Sequence, residues 1–264
     1  MIIVQNLCIA ALLSLTLTGI AWRLKWLTLS GATAASLLGT VVLGLGGWSW
    51  VFPLLAFFVT STLLSIYRVR RVGVFEETKG ARRDAMQVLA NGGVAGAIVI
   101  LGLWNEMGVL PAYLGALAAA TADTWSSEIG IALGKNPRRI TDGKPVLPGV
   151  SGGVTLAGLV GGLSGAILIA LTGWLSVSLR IAFRDVLIII LAGLAGTVFD
   201  SLLGATVQSQ RSCSICGKTT EREQHCGRRT EIISGWKRMN NDAVNLCATA
   251  AGALIGALPL LLLN

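Results

Sequence analysis

Charge is scarce in this 264-residue chain: Lys, Arg, Asp and Glu make up 13% of it, about half the ~25% usual in soluble domains. Histidine occurs once, at His225, so a mechanism built on an imidazole base has a single candidate. No Gly-Lys-Ser/Thr stretch appears at the Gly-rich run 149–153, which excludes a Walker A loop there. What is abundant is apolar: 53% of residues are hydrophobic, 33 are Gly, and mean hydropathy is +0.73. Gly is commoner in membrane helices than in soluble ones. Together these values exclude a disordered chain, argue against a soluble globular domain, and predict a polytopic membrane protein.

Eight apolar segments, 2–22, 27–46, 49–67, 87–104, 111–134, 151–176, 186–208 and 243–263, are each near the ~20 residues that cross a hydrocarbon core. The second and fifth are weak, being rich in Ala, Gly, Ser and Thr. The loops test the count independently. The odd-numbered loops carry 19 of the 21 Lys and Arg residues, and the sixth carries only Arg180 and Arg184. The positive-inside rule then places the odd loops in the cytoplasm and both termini outside. The first residues, Met1–Asn6, have no Lys or Arg, unlike a cleavable signal peptide. The net charge of +8 is therefore topological rather than a nucleic-acid footprint, and no nucleic-acid partner is expected.

The expected fold is all-α: a membrane bundle of about eight transmembrane helices forming one domain over 1–264. The stretch 209–242 is a cytoplasmic loop inserted between helices seven and eight. Small-xxx-small pairs at Gly92/Gly96, Gly158/Gly162, Gly161/Gly165 and Gly252/Gly256 predict close helix packing within the chain.

Charge inside a membrane costs at least ~2.5–3.5 kcal/mol per residue at the centre, so each case is a site candidate. Asp123, Glu128 and Asp200 lie in the segments, with Asp242 on a boundary. Gln87 and Asn91 open the fourth helix, Ser151, Gly152 and Gly153 the sixth, and Asn241 and Asn245 the eighth. Gln208 closes the seventh, and Ser61, Thr62 and Ser65 close the third. All are expected at one face of the membrane, which suits a reaction between a water-soluble reagent and a lipid headgroup.

Carboxylates beside Arg, Lys, Gly and Ser point to phosphate and Mg²⁺ chemistry, because Mg²⁺ takes one or two carboxylates plus substrate phosphates. The fifth loop offers Lys135, Arg138, Arg139 and Lys144, then the 149–153 amides leading into a helix N-terminus, a form of anion cradle. The lesser alternative for Asp123 and Asp200 is a structural ion-pair network that fixes helix register. Glu128 lies about 140° round the helix from Asp123, so it reads as either support for the site or structure. Arg68, Arg70 and Arg71 read as topology determinants.

Cys213-x2-Cys216-x8-His225-Cys226 holds three of the five cysteines and the only histidine. The pattern suits tetrahedral Zn²⁺, with reduced thiols and a disulfide as alternatives.

Five ordered motifs carry a resemblance: Arg83–Gly92, Asp123–Gly130, Gly149–Val154, Asp200–Gln208 and Asn241–Asn245. With them the chain resembles the integral membrane family that includes plant phytyl-phosphate kinase and animal transmembrane protein nineteen. It is more distantly similar to CTP-dependent polyprenol kinases. The resemblance implies phosphoryl transfer from a nucleoside triphosphate, ATP or CTP, to an isoprenoid monophosphate lipid. The residues carried over are Arg83, Gln87, Asn91, Asp123, Glu128, Arg138, Asp200, Gln208, Asn241 and Asn245; the Cys/His loop falls outside them.

On this reading Asp123 and Asp200, with Asp242, hold Mg²⁺. Arg83, Arg138 and Lys144 neutralise phosphates with help from Ser151, Gly152 and Gly153, and Glu128 and Asn241 belong to the catalytic group. The setting expected is a prokaryotic plasma membrane with the site facing the cytoplasm. The alternatives are a secondary transporter or lipid translocator, and a prenol kinase or cytidylyltransferase.

Overall fold

The computed structural model describes residues 2–73, 82–102, 109–176 and 181–258. Within them the chain is a helix bundle, with α1 (Ile2–Arg23), α2 (Leu29–Val41), α3 (Trp48–Val72), α4 (Ala85–Leu101), α5 (Val109–Leu133), α6 (Leu156–Leu175), α7 (Phe183–Thr206) and α8 (Asn241–Gly256). A π-helical turn, Val42–Gly46, extends α2 and stops at Gly47, whose φ of 80° lets the chain reverse into α3. Among the described residues, α1, α2 with its π turn, α3, α6 and α7 are long and apolar enough to cross a membrane.

Helix α5 explains why the fifth segment reads as weak. It is buried at every position from Ala112 to Ala122 and packs against α3, α4, α6, α7 and α8. A helix enclosed by protein needs no hydrophobicity to face lipid; it needs small side chains so that its neighbours can approach. The glycine pairs supply the other half of that approach. A Cβ on Gly161 would stand 3.0 Å from Trp125 O, and one on Gly165 3.1 Å from Thr121 O, which seats α6 on the α5 backbone. Gly252 and Gly256 do the same for α8 against Gly115 and Pro111, and Gly92 and Gly96 receive Leu38 of α2. All four small-residue pairs are thus occupied by contacts within the chain.

The non-helical elements gather at the end where α3, α5 and α7 finish and α4, α6 and α8 begin. Short strands β1 (Arg138–Arg139) and β2 (Gly153–Val154) pair antiparallel between α5 and α6. Between α7 and α8 lie β3 (Gln210–Ser212), β4 (Thr219–Thr220), β5 (Gln224–His225), β6 (Arg228–Arg229) and β7 (Glu231–Ser234). They form a three-stranded sheet ordered β4-β3-β7 and a β5-β6 hairpin, all antiparallel.

Helix boundaries differ from the sequence expectation at several places: α3 runs on to Val72, α4 spans Ala85–Leu101, α7 starts at Phe183, and two further shifts bear on the site. Helix α6 starts at Leu156 rather than near 151, because Thr155 caps it by accepting from Gly158 N at 3.0 Å; residues 149–154 form a separate loop and strand. Helix α8 begins two residues early, at Asn241 behind the Asn240 cap. The expected end of the eighth segment, 259–263, lies outside the described residues.

The tightest crossing of α5 gives a stability test. A Cβ on Gly115 would stand 2.4 Å from Gly252 O, whereas one on Gly19 of α1 meets nothing within 4 Å. Gly115→Ala should cost about 1–3 kcal/mol and lower the thermal midpoint in detergent. Gly19→Ala should leave it unchanged.

Candidate active site

A cavity of about 220 Å³ opens at the polar end of the bundle, lined mainly by polar side chains and backbone. Its deepest carboxylates are Asp123 and Asp200. Asp123 lies ten residues before the end of α5, about 15 Å along the axis, and Asp200 lies six before the end of α7, about 9 Å. The two side chains come within hydrogen-bonding reach of each other. Carboxylates in contact repel unless a proton or a cation is shared between them. Asn245 of α8, with its amide oriented to suit both neighbours, donates to Asp200 Oδ2 at 3.1 Å and to Asn241 O at 3.2 Å.

Helix α3 forms one wall. Ser65 donates to Glu128 Oε1 at 2.7 Å, and Arg68 Nε donates to Glu128 Oε2 at 2.6 Å. The Arg68 side chain is 2% exposed and that of Glu128 14%, so the ion pair is desolvated on both sides. Arg68 Nη1 is also buried and has no hydrogen-bond partner among the described residues.

Arg83 lines the cavity just before α4. Its backbone is strapped to the α1–α2 turn: Arg83 N donates to Trp26 O at 3.0 Å, and Thr28 N donates to Arg83 O at 2.9 Å. Gly31 permits the strap, since a Cβ there would stand 2.3 Å from Arg83 O. The guanidinium stacks over Phe57 and Phe58, 5.3 and 5.6 Å from the ring centroids, and its buried Nη1 lacks a hydrogen-bond partner among the described residues. Gln87 and Asn91 line the cavity one turn apart on α4. Gln87 also has a structural duty, because its Oε1 accepts from Asp84 N in a capping box, and Asn91 Nδ2 donates to Gln87 O.

The 148–153 loop covers another side. Gly149 and Gly152 have φ of 86° and 75°, and a Cβ on Gly152 would run into Ala205 of α7. Ser151, Gly152 and Gly153 all line the cavity. Opposite them stands Glu221, which accepts from Ser151 Oγ and from Gln208 Nε2, the latter at 2.8 Å.

The structure brings together Arg83, Gln87, Asn91, Asp123, Glu128, Ser151, Gly152, Gly153, Asp200, Gln208, Asn241 and Asn245. Three expected members are not among the cavity's lining residues. Arg138 is exposed on β1 and donates to Gly143 O, and Lys144, 74% exposed, pairs with Asp142. Both belong to the Arg138–Pro145 hairpin, which is not part of the lining although Pro137, Pro148 and Gly153 around it are. Asp242 is buried, 5% exposed, and does not line it. Asn241 and Asn245 share a helix face; Asp242 is turned about 100° from Asn241 and about 60° from Asn245. Two charged residues were missed: Arg68 and Glu221.

Cys213, Cys216, His225 and Cys226 also converge, with one ligand atom from each lying within 4.8 Å of the others. The Cys213 thiol is drawn down to about 6 by the amide N–H groups of Cys216 and Ile215, while hydrogen bonding with Cys216 pushes Cys226 up to about 11.

The model of the integral membrane protein family DUF92 matches residues 12–253. The chain belongs to that family. It is 33% identical to Protein PGR of Arabidopsis thaliana over 267 residues, covering 91% of each chain. It is likewise 33% identical to the uncharacterized membrane protein MJ0933 of Methanocaldococcus jannaschii, covering 86% of this chain and 83% of that one. Protein VTE6, chloroplastic, of Arabidopsis thaliana is 26% identical over 241 residues, with 88% of this chain and 65% of that one covered. No solved structure matches. The protein is therefore an integral membrane protein whose family includes archaeal and chloroplast members.

The Arg68–Glu128 pair can be tested apart from activity. Glu128→Gln should leave a buried guanidinium unpaired and cost roughly 3–5 kcal/mol. Unfolding midpoints in detergent should fall accordingly, and adding Arg68→Met should recover much of the loss. A double variant whose loss equals the sum of the two single losses would show that the pair is not coupled.

Proposed function

We propose that the protein is a membrane-embedded prenyl-phosphate kinase, transferring a phosphoryl group from a nucleoside triphosphate to an isoprenoid monophosphate. The observation that carries the reading is the charge pattern of the cavity. Two guanidinium groups, Arg68 and Arg83, each keep a buried Nη1 without a partner among the described residues, and they share the cavity with Asp123 and Asp200. A buried donor left unsatisfied costs about 1–3 kcal/mol, so a cavity that keeps two of them suits an anionic ligand. Guanidinium groups match phosphate oxygens in geometry as well as in charge.

The donor set also fits Mg²⁺. Asp123 and Asp200 supply oxygen atoms from two helices and would hold the ion between them. Bound there, it would offset negative charge on the nucleotide phosphates. The residues then divide the remaining work. Arg68 and Arg83 offset charge on donor and acceptor phosphates, and Asn245 orients Asp200. The backbone N–H groups of Ser151 and Gly152 would serve phosphate oxygens, that of Gly153 being bonded to Val150 O. The acceptor is already an anion, so attack on the γ-phosphorus needs no strong base, consistent with the lack of a histidine at the cavity. The isoprenoid chain lies between helices, with its phosphate at the cytoplasmic face of the membrane, a plasma membrane in a prokaryote. The resemblance to the family that includes plant phytyl-phosphate kinase supports the same substrate class.

The test uses purified protein in nanodiscs with Mg²⁺ and γ-labelled ATP, CTP, GTP or UTP. Phytyl, geranylgeranyl and farnesyl monophosphates are offered beside the free alcohols. Label should enter a lipid diphosphate, and Asp123→Asn should lower turnover by on the order of 100- to 1000-fold without loss of folded protein. Label in the alcohols alone would replace the reading with a prenol kinase. Nucleotide-independent flux into vesicles, with no transfer, would replace it with a transporter.

A further inference from the structure

We propose that Cys213, Cys216, His225 and Cys226 bind one Zn²⁺, and that the bound ion fixes Glu221 against Ser151 and Gln208 at the cavity. The second half deepens the proposed function and rests on it only in so far as the cavity is the active site.

The ligand set is three sulfurs and one imidazole nitrogen, a combination that zinc takes in closed tetrahedral sites. A Zn–S bond of about 2.3 Å makes the edge between two sulfurs about 3.8 Å, and a Zn–N bond of about 2.0 Å makes a sulfur–nitrogen edge about 3.5 Å. Cys216 Sγ lies 3.5 Å from His225 Nδ1 and Cys226 Sγ 3.2 Å from it, and all four ligand atoms fall within 4.8 Å of one another. His225 is therefore assigned as an Nδ1 ligand.

The backbone is built to hold both halves. Cys213 N donates to Lys218 O at 3.0 Å and Gly217 N donates to Cys213 O at 2.8 Å, with Gly217 at φ 69°, closing a tight turn around the first ligand pair. The β5-β6 hairpin turns on Cys226 and Gly227, both left-handed, at φ 52° and 77°. Two such residues make a type I′ turn, where Asn or Asp normally precedes Gly. A cysteine in that place accepts backbone strain and brings its sulfur beside His225.

The insert also lacks a core that would fold it otherwise. Its strands are two to four residues long, and Ile215, Ile232, Ile233 and Trp236 are exposed. Small units of this kind need a metal or a covalent link to hold a shape. Glu221 lies in sequence between the two ligand pairs, directly after β4, which is registered on β3 through Arg211–Thr220 and Ser212–Thr219. Fixing the two pairs to one ion fixes the segment that carries Glu221. The other end of the insert is tied to the bundle by Trp236 N donating to Val207 O and Ser209 N donating to Met239 O. Metal occupancy is thereby linked to the wall of the cavity.

The experiment uses full-length protein carrying no polyhistidine tag, kept reduced in nanodiscs. Metal content is measured by mass spectrometry, and backbone hydrogen exchange is followed with and without a high-affinity zinc chelator. The expected result is close to one zinc per chain, lost in Cys213→Ser and Cys226→Ser. Chelation should speed exchange in 209–234 and also in 149–153, and added Zn²⁺ should reverse both. Glu221→Gln should keep its zinc and speed exchange in 149–153 alone. Zinc-free wild-type protein, or a Cys213–Cys216 or Cys213–Cys226 disulfide found after alkylation, would overturn the site. Zinc loss that leaves 149–153 unchanged would overturn the link to the cavity. Neither readout uses catalysis, so absence of phosphoryl transfer counts against the kinase reading alone.

Discussion

From Ala112 to Ala122, α5 is enclosed on every side, and the distance at which α6, α7 and α8 can approach it sets the geometry of the cavity. Asp123 sits one residue beyond this buried stretch. Its contact with Asp200 requires α7 to close on α5, which Gly193 and Gly196 allow by lying against Ala118 and Ala119. Asn245 reaches Asp200 only because α8 crosses α5 at Gly252 and Gly115. A larger side chain at one crossing would therefore separate carboxylates two or three turns away. Small residues here fix a polar site as much as they fix the packing.

Electrostatics shapes what surrounds that site. The Arg68–Glu128 pair joins α3 to α5, and its desolvation cost is repaid only with excellent geometry and additional hydrogen bonds. Ser65 supplies one of these to Glu128. Among the described residues Arg68 keeps a donor to spare, as Arg83 does, and both spare donors belong to residues that line the cavity. Helix ends follow the same economy. Thr28, Asp84, Thr155 and Asn240 cap α2, α4, α6 and α8 at this one end of the bundle. Polar residues there hold helix termini and line a cavity within the same few turns.

Much of the site is legible in the sequence because a membrane makes charge conspicuous. Asp123, Asp200, Asn241, Asn245, Gln87 and Asn91 stand out against apolar segments, and all line one cavity. Arg68 is harder to see because arginines at a helix end have a sufficient topological explanation. A usable signal did exist: Ser61, Ser65 and Arg68 recur at helical spacing and form one polar stripe on α3. Glu221 gives no such signal. It is one charge among many in a polar insert, and only the fold carries it back to Ser151 and Gln208. Arg138 and Lys144 are not among the lining residues, since a long exposed side chain near a Gly-rich loop in sequence can bond within its own hairpin, to Gly143 and Asp142. The 140° between Asp123 and Glu128 is real, but the cavity widens round the end of α5 and meets both faces.

The insert changes the charge balance of the whole cavity. Without Glu221 its ionisable lining would be Asp123, Glu128 and Asp200 against Arg68 and Arg83, an excess of one formal negative charge. With Glu221 the excess is two. On the proposed reading this favours a divalent cation over an unescorted phosphate, because like charge in a confined, poorly solvated space is strongly repelled. A nucleotide would then enter as its metal complex rather than as a bare polyanion. The unpartnered Nη1 atoms of Arg68 and Arg83 would engage phosphate oxygens once that complex is seated. On the same reading an anionic lipid headgroup, lacking a metal of its own, would meet that repulsion until the nucleotide complex had neutralised the carboxylates, and the charge balance would then order the two substrates, donor before acceptor.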